Sequence, residues 1–398
     1  VGIVGGGMVG ASLALALAGS RLAVTLIEAV AAVSVEQPSF DDRTTALGNG
    51  ARRIFDTLGV WPRIAQRAAP ISEIQVSDAG HFGSARLEAR EHGLGAFGYT
   101  VSNRHLGQVL WQALSERGGT TLLSPARVTA LELAPEAAVL TVTGEQGAPR
   151  VLRARLVVAA DGAHSLIKQQ AGIVSSSRDY GQVALVANVR TNRTARGIAY
   201  ERFTDSGALA MLPLHDGGYT VVWALPPDQA RTLQQCEADV FRAQLQQRLG
   251  WRAGAILEVT PRAAYPLSLV QAQSSGARRV VVVGNAAQTL HPVAAQGFNL
   301  GLRDAAALAE MLLAASDPGE PSLIEEYGRR RAADRAGMVA FTDRLVRLFG
   351  AHHGGLVWAR NAALLLFDQS PLAKRALSRL SWGFGGALSR LSRGLPLA

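Results

Sequence analysis

Gly5, Gly7 and Gly10 spell GxGxxG directly after the apolar run VGIV and directly before an alanine- and leucine-rich stretch. Each glycine in that spacing has a task. The first permits a tight turn, the second lets backbone approach a pyrophosphate, and the third lets a helix pack on a sheet. The free N–H groups at the start of the helix then face the phosphates. Glu28 ends the next apolar run, RLAVTLIEA. That is roughly the 20-residue distance from which a carboxylate reaches the hydroxyls of an adenosine ribose. These residues point to a dinucleotide and leave NAD and FAD both open.

Two further strand ends carry polar turns. Asp161 follows RLVVAA, and Asn285 follows VVVG. With the glycine loop they suggest three walls around one extended cofactor. Beyond Asn285 the chain runs QTLHPVAAQGFNLGLRDA. A helix is expected to start near Gly297–Asn299 and to bury Ala305, Leu308, Ala309, Leu312 and Leu313. Its N-terminus stabilises a nearby negative charge by roughly 0.3–1 kcal/mol when exposed. Gly297 permits close backbone approach and a positive φ. His291 precedes a proline and reads as structural, as do His81, His215 and Tyr219. No catalytic side chain and no metal set is identifiable. The chemistry is therefore expected to belong to the cofactor, with the protein orienting it and excluding water.

The elements that must position these residues follow from periodicity. The opening strand–turn–helix–strand is the start of a βαβ unit. FDDRTTALGNGARRIFDTLGV reads as a loop and then a helix using Ile54, Leu58 and Val60. ISEIQVSDAGHFGSARLEA alternates as an antiparallel hairpin does. SNRHLGQVLWQALSERG returns to helix behind Ser102 or Asn103. Several short strands fill residues 181–226, among them VALVANVR, ALAMLPL and YTVVWAL. The expected architecture is α/β. A Rossmann-like nucleotide-binding domain (1–70, 98–178 and 277–345) is interleaved with a β-rich substrate domain (71–97 and 179–276). A helical C-terminal extension covers 346–398.

Composition narrows the classes. At 398 residues, nearly half apolar, the chain can bury a large core. The single cysteine, Cys236, excludes a disulfide framework and a cysteine zinc site. A net charge of +9, mostly arginine, suits an arginine-rich proteome or an anionic surface. The basic residues are scattered and form no reader motif, so nucleic acid is not expected as a partner. The C-terminal stretch mixes Leu364, Phe367, Leu372, Leu377, Trp382 and Phe384 with Lys374, Arg375, Arg379, Arg390 and Arg393. Such a segment either lies on anionic lipid or packs on its own domain. No signal peptide and no membrane-spanning run is evident. A cytoplasmic location is expected, with an optional peripheral seat on the inner membrane. The sequence opens inside a strand, so a few residues are expected to precede Val1.

GxGxxG, Asp161-Gly162 and the Gly284-Asn285 turn together resemble the three marks of FAD-dependent aromatic hydroxylases similar to p-hydroxybenzoate hydroxylase. FDDRTTAL, VSDAGHFGSARLEA, GNAAQTLHPVAAQGFNLGLRDA and LLLFDQSPLAKRALSRLSWGFGG extend the likeness nearly end to end. They resemble the ubiquinone-biosynthesis hydroxylases. Asparagine in GNAAQTLHP resembles the 2-octaprenyl-6-methoxyphenol hydroxylase branch, which usually reads AGQG where this chain has Ala294-Ala295-Gln296-Gly297. The resemblance implies FAD, with NAD(P)H as a transient electron donor. It implies O2 and a polyprenyl methoxyphenol as substrates, joined through a flavin C4a-hydroperoxide, and assembly with other proteins of the pathway. By the same resemblance Gly5, Gly7, Gly10 and Glu28 hold the ADP half. Arg43 sits beside the pyrophosphate or flavin, and Asp161 supports the cofactor wall. Asn285 takes the place of a ribityl-binding aspartate. Pro292 sets its backbone beside the ring, and Gly297 begins the helix that supports its charge. Asn103 stands where relatives often have arginine or glutamine. Val128, Gln296 and Asn299 complete the implied contacts.

Rival readings are distinguishable. Hydroxylation at another ring position of the same pathway fits the same motifs. A polyprenyl reductase or a halogenase would share the layout. Halogenases carry WxWxIP, and the nearest stretch here, VVWALPP, has one tryptophan. An NAD-dependent dehydrogenase explains Gly5 to Glu28 but gives Asp161 and residues 284–299 no task. A non-catalytic FAD- or lipid-binding subunit also fits, since no indispensable side chain is named.

Overall fold

The structure, a computed structural model, describes residues 1–31, 34, 37–145, 147–350, 354–374 and 388–397. Arg375, Leu377, Arg379, Trp382 and Phe384 of the expected amphipathic C-terminal segment lie outside the described residues.

The first sheet has six strands in the order Gly276–Ala277, Val280–Val282, Val157–Ala159, Gly2–Val4, Val24–Ile27 and Thr120–Leu123. All pairings are parallel except that of the Gly276–Ala277 edge. The central strands are apolar on both sides because both faces are covered. On one face pack the helices Met8–Leu17, Asn103–Arg117 and Gly297–Ala314, whose Leu13, Leu110 and Leu308 are fully buried. On the other lies a three-stranded antiparallel sheet built from Ala126–Leu133, Ala138–Gly144 and Arg150–Ala154. The helix expected near Gly297–Asn299 starts at Gly297 and buries Ala305, Leu308, Ala309 and Leu312 of the face read from its periodicity, with Leu313 half-buried.

The second large sheet is antiparallel apart from one pairing, Ile198–Thr204 alongside Glu73–Asp78. Its core strands are Ala263–Ala272, Ser175–Thr191, Tyr219–Leu225, Gly207–Pro213 and Ile198–Thr204, and the Glu73–Asp78/Ser84–Glu88 hairpin extends it. One face buries Leu209, Met211 and Trp223 against Phe241 and Leu245 of the Ala238–Leu249 helix. The other face looks towards the first sheet. Residues 44–48, expected as loop, form a strand, Thr44–Gly48, paired with Gly98–Ser102. Polar Thr44 and Thr45 hide its apolar character. Pairing with a distant strand, which no local pattern announces, makes it regular.

The last long helices close the gap between the sheets. Pro321–Gly350 is tied to Gly297–Ala314 by buried ions. Asp304, fully buried, receives Arg331 Nε at 2.6 Å and Arg335 Nη2 at 3.0 Å, with Gln288 Nε2 at 2.9 Å. Gly354–Gln369 is anchored to the hairpin. Arg360 Nε and Asn361 Nδ2 donate to Asp78 Oδ2 at 3.0 and 2.9 Å, and Asn361 Oδ1 accepts from Gly83 N at 2.7 Å. This part of the C-terminal extension therefore packs on its own chain.

Candidate active site

The strand Gly2–Val4 ends in a turn that glycine alone can make. Gly5 has φ +102°, and a Cβ there would lie 2.7 Å from Asp161 N. A Cβ on Gly10 would come closer to the Gly5 carbonyl oxygen than the 3.0 Å below which real Cβ contacts essentially never fall. Gly10 thus lies beneath the loop and seats the helix on it. Gly7 is the N-cap of that helix, which has no side-chain cap. Its first N–H groups are left for a ligand. Glu28 is fixed by two backbone donors, Gly6 N at 2.5 Å on Oε2 and Val30 N at 3.0 Å on Oε1. A carboxylate has lone pairs beyond those two, so Glu28 still offers acceptors to a diol.

Above this loop opens a cavity of about 1350 Å³. Gly5, Gly7, Glu28, Arg43, Asn103 and Val128 all line it. So do Asp161, Asn285, Pro292, Gln296, Gly297 and Asn299. Of the thirteen residues singled out from sequence, Gly10 alone is set back from it. Residues spread from the first strand to the start of the Gly297–Ala314 helix are brought to one wall, at the C-terminal ends of the parallel strands. That is where open α/β sheets bind ligands.

The geometry refines several of these positions. Asp161 Oδ2 accepts from Ile167 N at 3.3 Å, while Oδ1 is buried with no hydrogen-bond partner among the described residues. Burial raises its pKa above the ordinary carboxylate value, against the pull of hydrogen bonds from Ser165 and nearby backbone. Arg43 pairs with Asp41 at 2.5 Å and stacks 4.5 Å above the Tyr265 ring. Asn103 accepts from Thr45 Oγ1 at 2.6 Å and donates to Asp41 Oδ1 at 3.1 Å. Asn299 is spent as a brace. Its Oδ1 accepts from Gly48 N at 2.8 Å, and its Nδ2 donates to Ala46 O at 2.7 Å and Ala295 O at 3.0 Å. Arg43 and these two amides hold the 41–48 segment against the wall.

Around Pro292 the chain makes a 3-10 turn, Val293–Ala295, closed by Ala295 N donating to Pro292 O at 2.8 Å. The positive φ expected at Gly297 is found instead at Ala295, φ +49°. A left-handed alanine costs roughly 1–2 kcal/mol, which the surrounding turn and the Asn299 bond offset. Gly297 adopts no positive φ, and a Cβ there would meet nothing within 4 Å. Its value is to keep the helix start open to the cavity. The helix has no side-chain cap, so its first N–H groups remain available there.

His291, read from sequence as structural, is held inside the fold. It is buried, accepts from Val293 N at 3.2 Å on Nδ1, and has Nε2 3.3 Å from Gln182 Oε1. Desolvation lowers its pKa to about 4, so it is neutral at ordinary pH. It does not line the cavity.

The half of the cavity towards the second sheet is apolar. Val76, Phe203, Leu212 and Val222 come from the sheet, Leu345 from Pro321–Gly350 and Phe367 from Gly354–Gln369. Glu201 is set among them, and sequence reading did not single it out. Its signal was a lone charge in the alternating strand IAYERFT, which resembles any solvent-facing glutamate.

The glycine cradle, the two uncapped helix starts and the buried Asp161 oxygen suit a long anionic cofactor carrying a diol. Residues 1–342 match the FAD binding domain family. The chain belongs to the FAD-dependent ubiquinone-biosynthesis hydroxylase family.

Its activity class is FAD-dependent monooxygenation. The chain is 37% identical to the ubiquinone hydroxylase UbiL of Rhodospirillum rubrum, over 99% of this chain and 92% of that one. It is 33% identical to the 3-demethoxyubiquinol 3-hydroxylase of Escherichia coli, over 96% of this chain and 98% of that one. The p-nitrophenol 4-monooxygenase structure from Pseudomonas putida DLL-E4 superposes with a TM-score of 0.81 at 20% identity, covering 97% of this chain and 98% of that one. That likeness bears on the fold, and it agrees with the interleaved α/β architecture expected from sequence.

Proposed function

We propose that this protein hydroxylates the ring of a polyprenyl methoxyphenol in ubiquinone biosynthesis, taking electrons from NAD(P)H that is not retained. One observation carries the substrate class. The cofactor wall and an apolar chamber are halves of one cavity of about 1350 Å³. A ring held at the junction has its prenyl chain among aliphatic and phenyl side chains, whose burial is worth roughly 25 cal/mol per Å². Bound FAD supplies the reduction and activation of O2. The chain's own residues bind, orient and shield. Gly5, Gly7, Gly10 and Glu28 would hold the ADP half, with Asp161 at the adjoining wall. Asn285 would meet the ribityl hydroxyls, and Arg43, Asn103, Val128 and Gln296 would flank the cofactor. Pro292 would set its backbone beside the ring, and the helix start at Gly297–Asn299 would lend it positive potential. The domain division given from sequence is kept as part of this reading.

Contact with an anionic membrane and with other proteins of the pathway is proposed alongside. Trp358 and Leu366 are strongly exposed on the Gly354–Gln369 helix and Leu372 on the helical residues 371–374 that follow it, and the substrate class is lipid. Among the described residues no helix is long and apolar enough to cross a membrane. The deciding experiment is the metabolite that accumulates when the gene is deleted. A prenylated methoxyphenol is expected. A precursor blocked at another position would reassign the ring carbon, and an unchanged quinone profile would refute the function.

A further inference from the structure

We propose that the Glu201 carboxylate accepts the phenolic proton of the aromatic substrate, so that the ring meets activated oxygen as a phenolate. This rests on the hydroxylase reading above and names a side chain for a task that reading leaves open.

Glu201 lies in the middle of Ile198–Thr204. Alternation puts Ala199, Glu201 and Phe203 on the cavity face; Tyr200 also borders the cavity but belongs to the core on the opposite face with Trp223. Its partners in register are Val76 on one side and Ala210 on the other, and Ala210 pairs in turn with Val222. All three line the same cavity. The carboxyl therefore stands alone on an apolar wall. Its Oε1 is buried with no hydrogen-bond partner, and no ion pair to it occurs among the described residues. An unpartnered buried polar group is costly and calls for an explanation. A ligand hydroxyl at the cavity surface supplies one.

The surroundings decide its protonation. The neighbouring strands present Ile74, Val76, Ala210, Leu212 and Val222, none of them titratable. From Pro321–Gly350 come Phe341, Leu345, Leu348 and Phe349. Gly354–Gln369 brings Leu364, Phe367 and the guanidinium of Arg360, whose Nε donates to Asp78. Desolvation alone pushes the Glu201 pKa up to about 7. A base poised near the working pH combines adequate ionisation with adequate proton affinity.

The step balances. The phenol O–H bond breaks, its electron pair stays on the ring oxygen, and the proton forms a new O–H bond on Glu201. The ring carbon ortho or para to that oxygen becomes more nucleophilic. After oxygen transfer the carbon-bound hydrogen leaves as a proton to the oxygen that stays on the oxidant, and Glu201 returns its proton to the ring oxygen as aromaticity is restored.

The test compares FAD-loaded wild type with Glu201→Gln, an isosteric change, and Glu201→Asp. Binding of 4-fluoro-2-methoxyphenol is followed by fluorine NMR about one pH unit above the Glu201 value, where the carboxyl is ionised. Wild type is expected to move the probe signal from the neutral-phenol position towards that of the phenolate, as a hydrogen bond to a carboxylate does, and Glu201→Gln to leave it at the neutral-phenol position, with FAD content unchanged and the melting temperature unchanged or raised. Turnover of a prenylated methoxyphenol should fall by roughly 10²-fold or more in Glu201→Gln. It should partly recover in Glu201→Asp, and the rise of kcat through about pH 7 should vanish in Glu201→Gln. An FAD-loaded Glu201→Gln that moves the probe signal as wild type does, or keeps wild-type kcat and pH profile, overturns the proposal while leaving the hydroxylase reading intact. A wild type that hydroxylates no phenol overturns the broader reading and this one with it.

Discussion

Two glycine-to-alanine changes separate the loop's role in folding from its role in holding a cofactor. At Gly10 the added Cβ lands inside the Gly5 carbonyl and 3.2 Å from Ala160 Cβ. The Gly5 turn is itself pinned by its own left-handed φ. The Met8–Leu17 helix must then move away from the sheet, against a core in which Leu13, Leu15 and Leu17 are wholly buried. Overpacking of that kind costs roughly 1–3 kcal/mol. At Gly297 the added Cβ meets no protein atom within 4 Å, and alanine gains up to about 1 kcal/mol in helix propensity over glycine. Gly10→Ala is therefore expected to lower both melting temperature and FAD content. Gly297→Ala is expected to keep or raise the apoprotein melting temperature and to weaken FAD at least tenfold, about 1.4 kcal/mol. The assay is thermal unfolding of both apoproteins beside an FAD titration by quenching of flavin fluorescence. A Gly10→Ala protein with wild-type stability would refute the helix-seating argument. Wild-type FAD affinity in Gly297→Ala would refute the close approach at the helix start.

Asp304→Asn should cost roughly 3–5 kcal/mol, because Arg335 would be left buried without its counter-charge and Arg331 with Asp334 alone, and urea unfolding measures it. Burial acts to raise the Asp304 pKa, but Arg335 and Arg331 outweigh it and hold the carboxyl below its usual range. Its contribution is present above the unfolded carboxyl pKa and lost as pH falls through the lower folded value, a loss Asp304→Asn should not show. The folded pKa of His291, about 4, lies below its unfolded value of 6.5. Stability should therefore decline as pH drops between those two values, and the decline in melting temperature over that window should be smaller in His291→Gln. Leu366→Glu with Leu372→Glu should reduce sedimentation with anionic liposomes and leave FAD content unchanged; undiminished sedimentation would return that face to a purely soluble role.

Much of the cavity wall was legible because it is written in local patterns. GxGxxG, the acid after the second strand and the strand-end turns at Asp161 and Asn285 announce themselves over a few residues. Backbone conformation was less legible. Glycine marks where a positive φ is easy, so Gly297 drew attention, yet the turn after Pro292 imposes it on Ala295. Asn299 read as a cofactor contact, but its amide is engaged by Gly48, Ala46 and Ala295. Glu201 was illegible for another reason. In a strand, period-two alternation says which residues share a face but not whether that face meets water or a chamber closed by two helices from much later in the chain.

The pairing of Ile198–Thr204 with Glu73–Asp78 has a consequence for how the chain reaches this fold. The hairpin at the edge of the large sheet is joined to it by contacts across more than a hundred residues of intervening chain, including the Val157–Ala159 strand. Gln288–Thr289, at the far edge, comes from beyond the Val280–Val282 strand. Neither sheet can be completed from one continuous segment. Such long-range closure slows folding and ties distant parts of the chain into one cooperative transition. Fragments cut between the sheets should therefore aggregate rather than fold, and a ligand that grips the glycine loop should slow unfolding of the strand that carries Glu201.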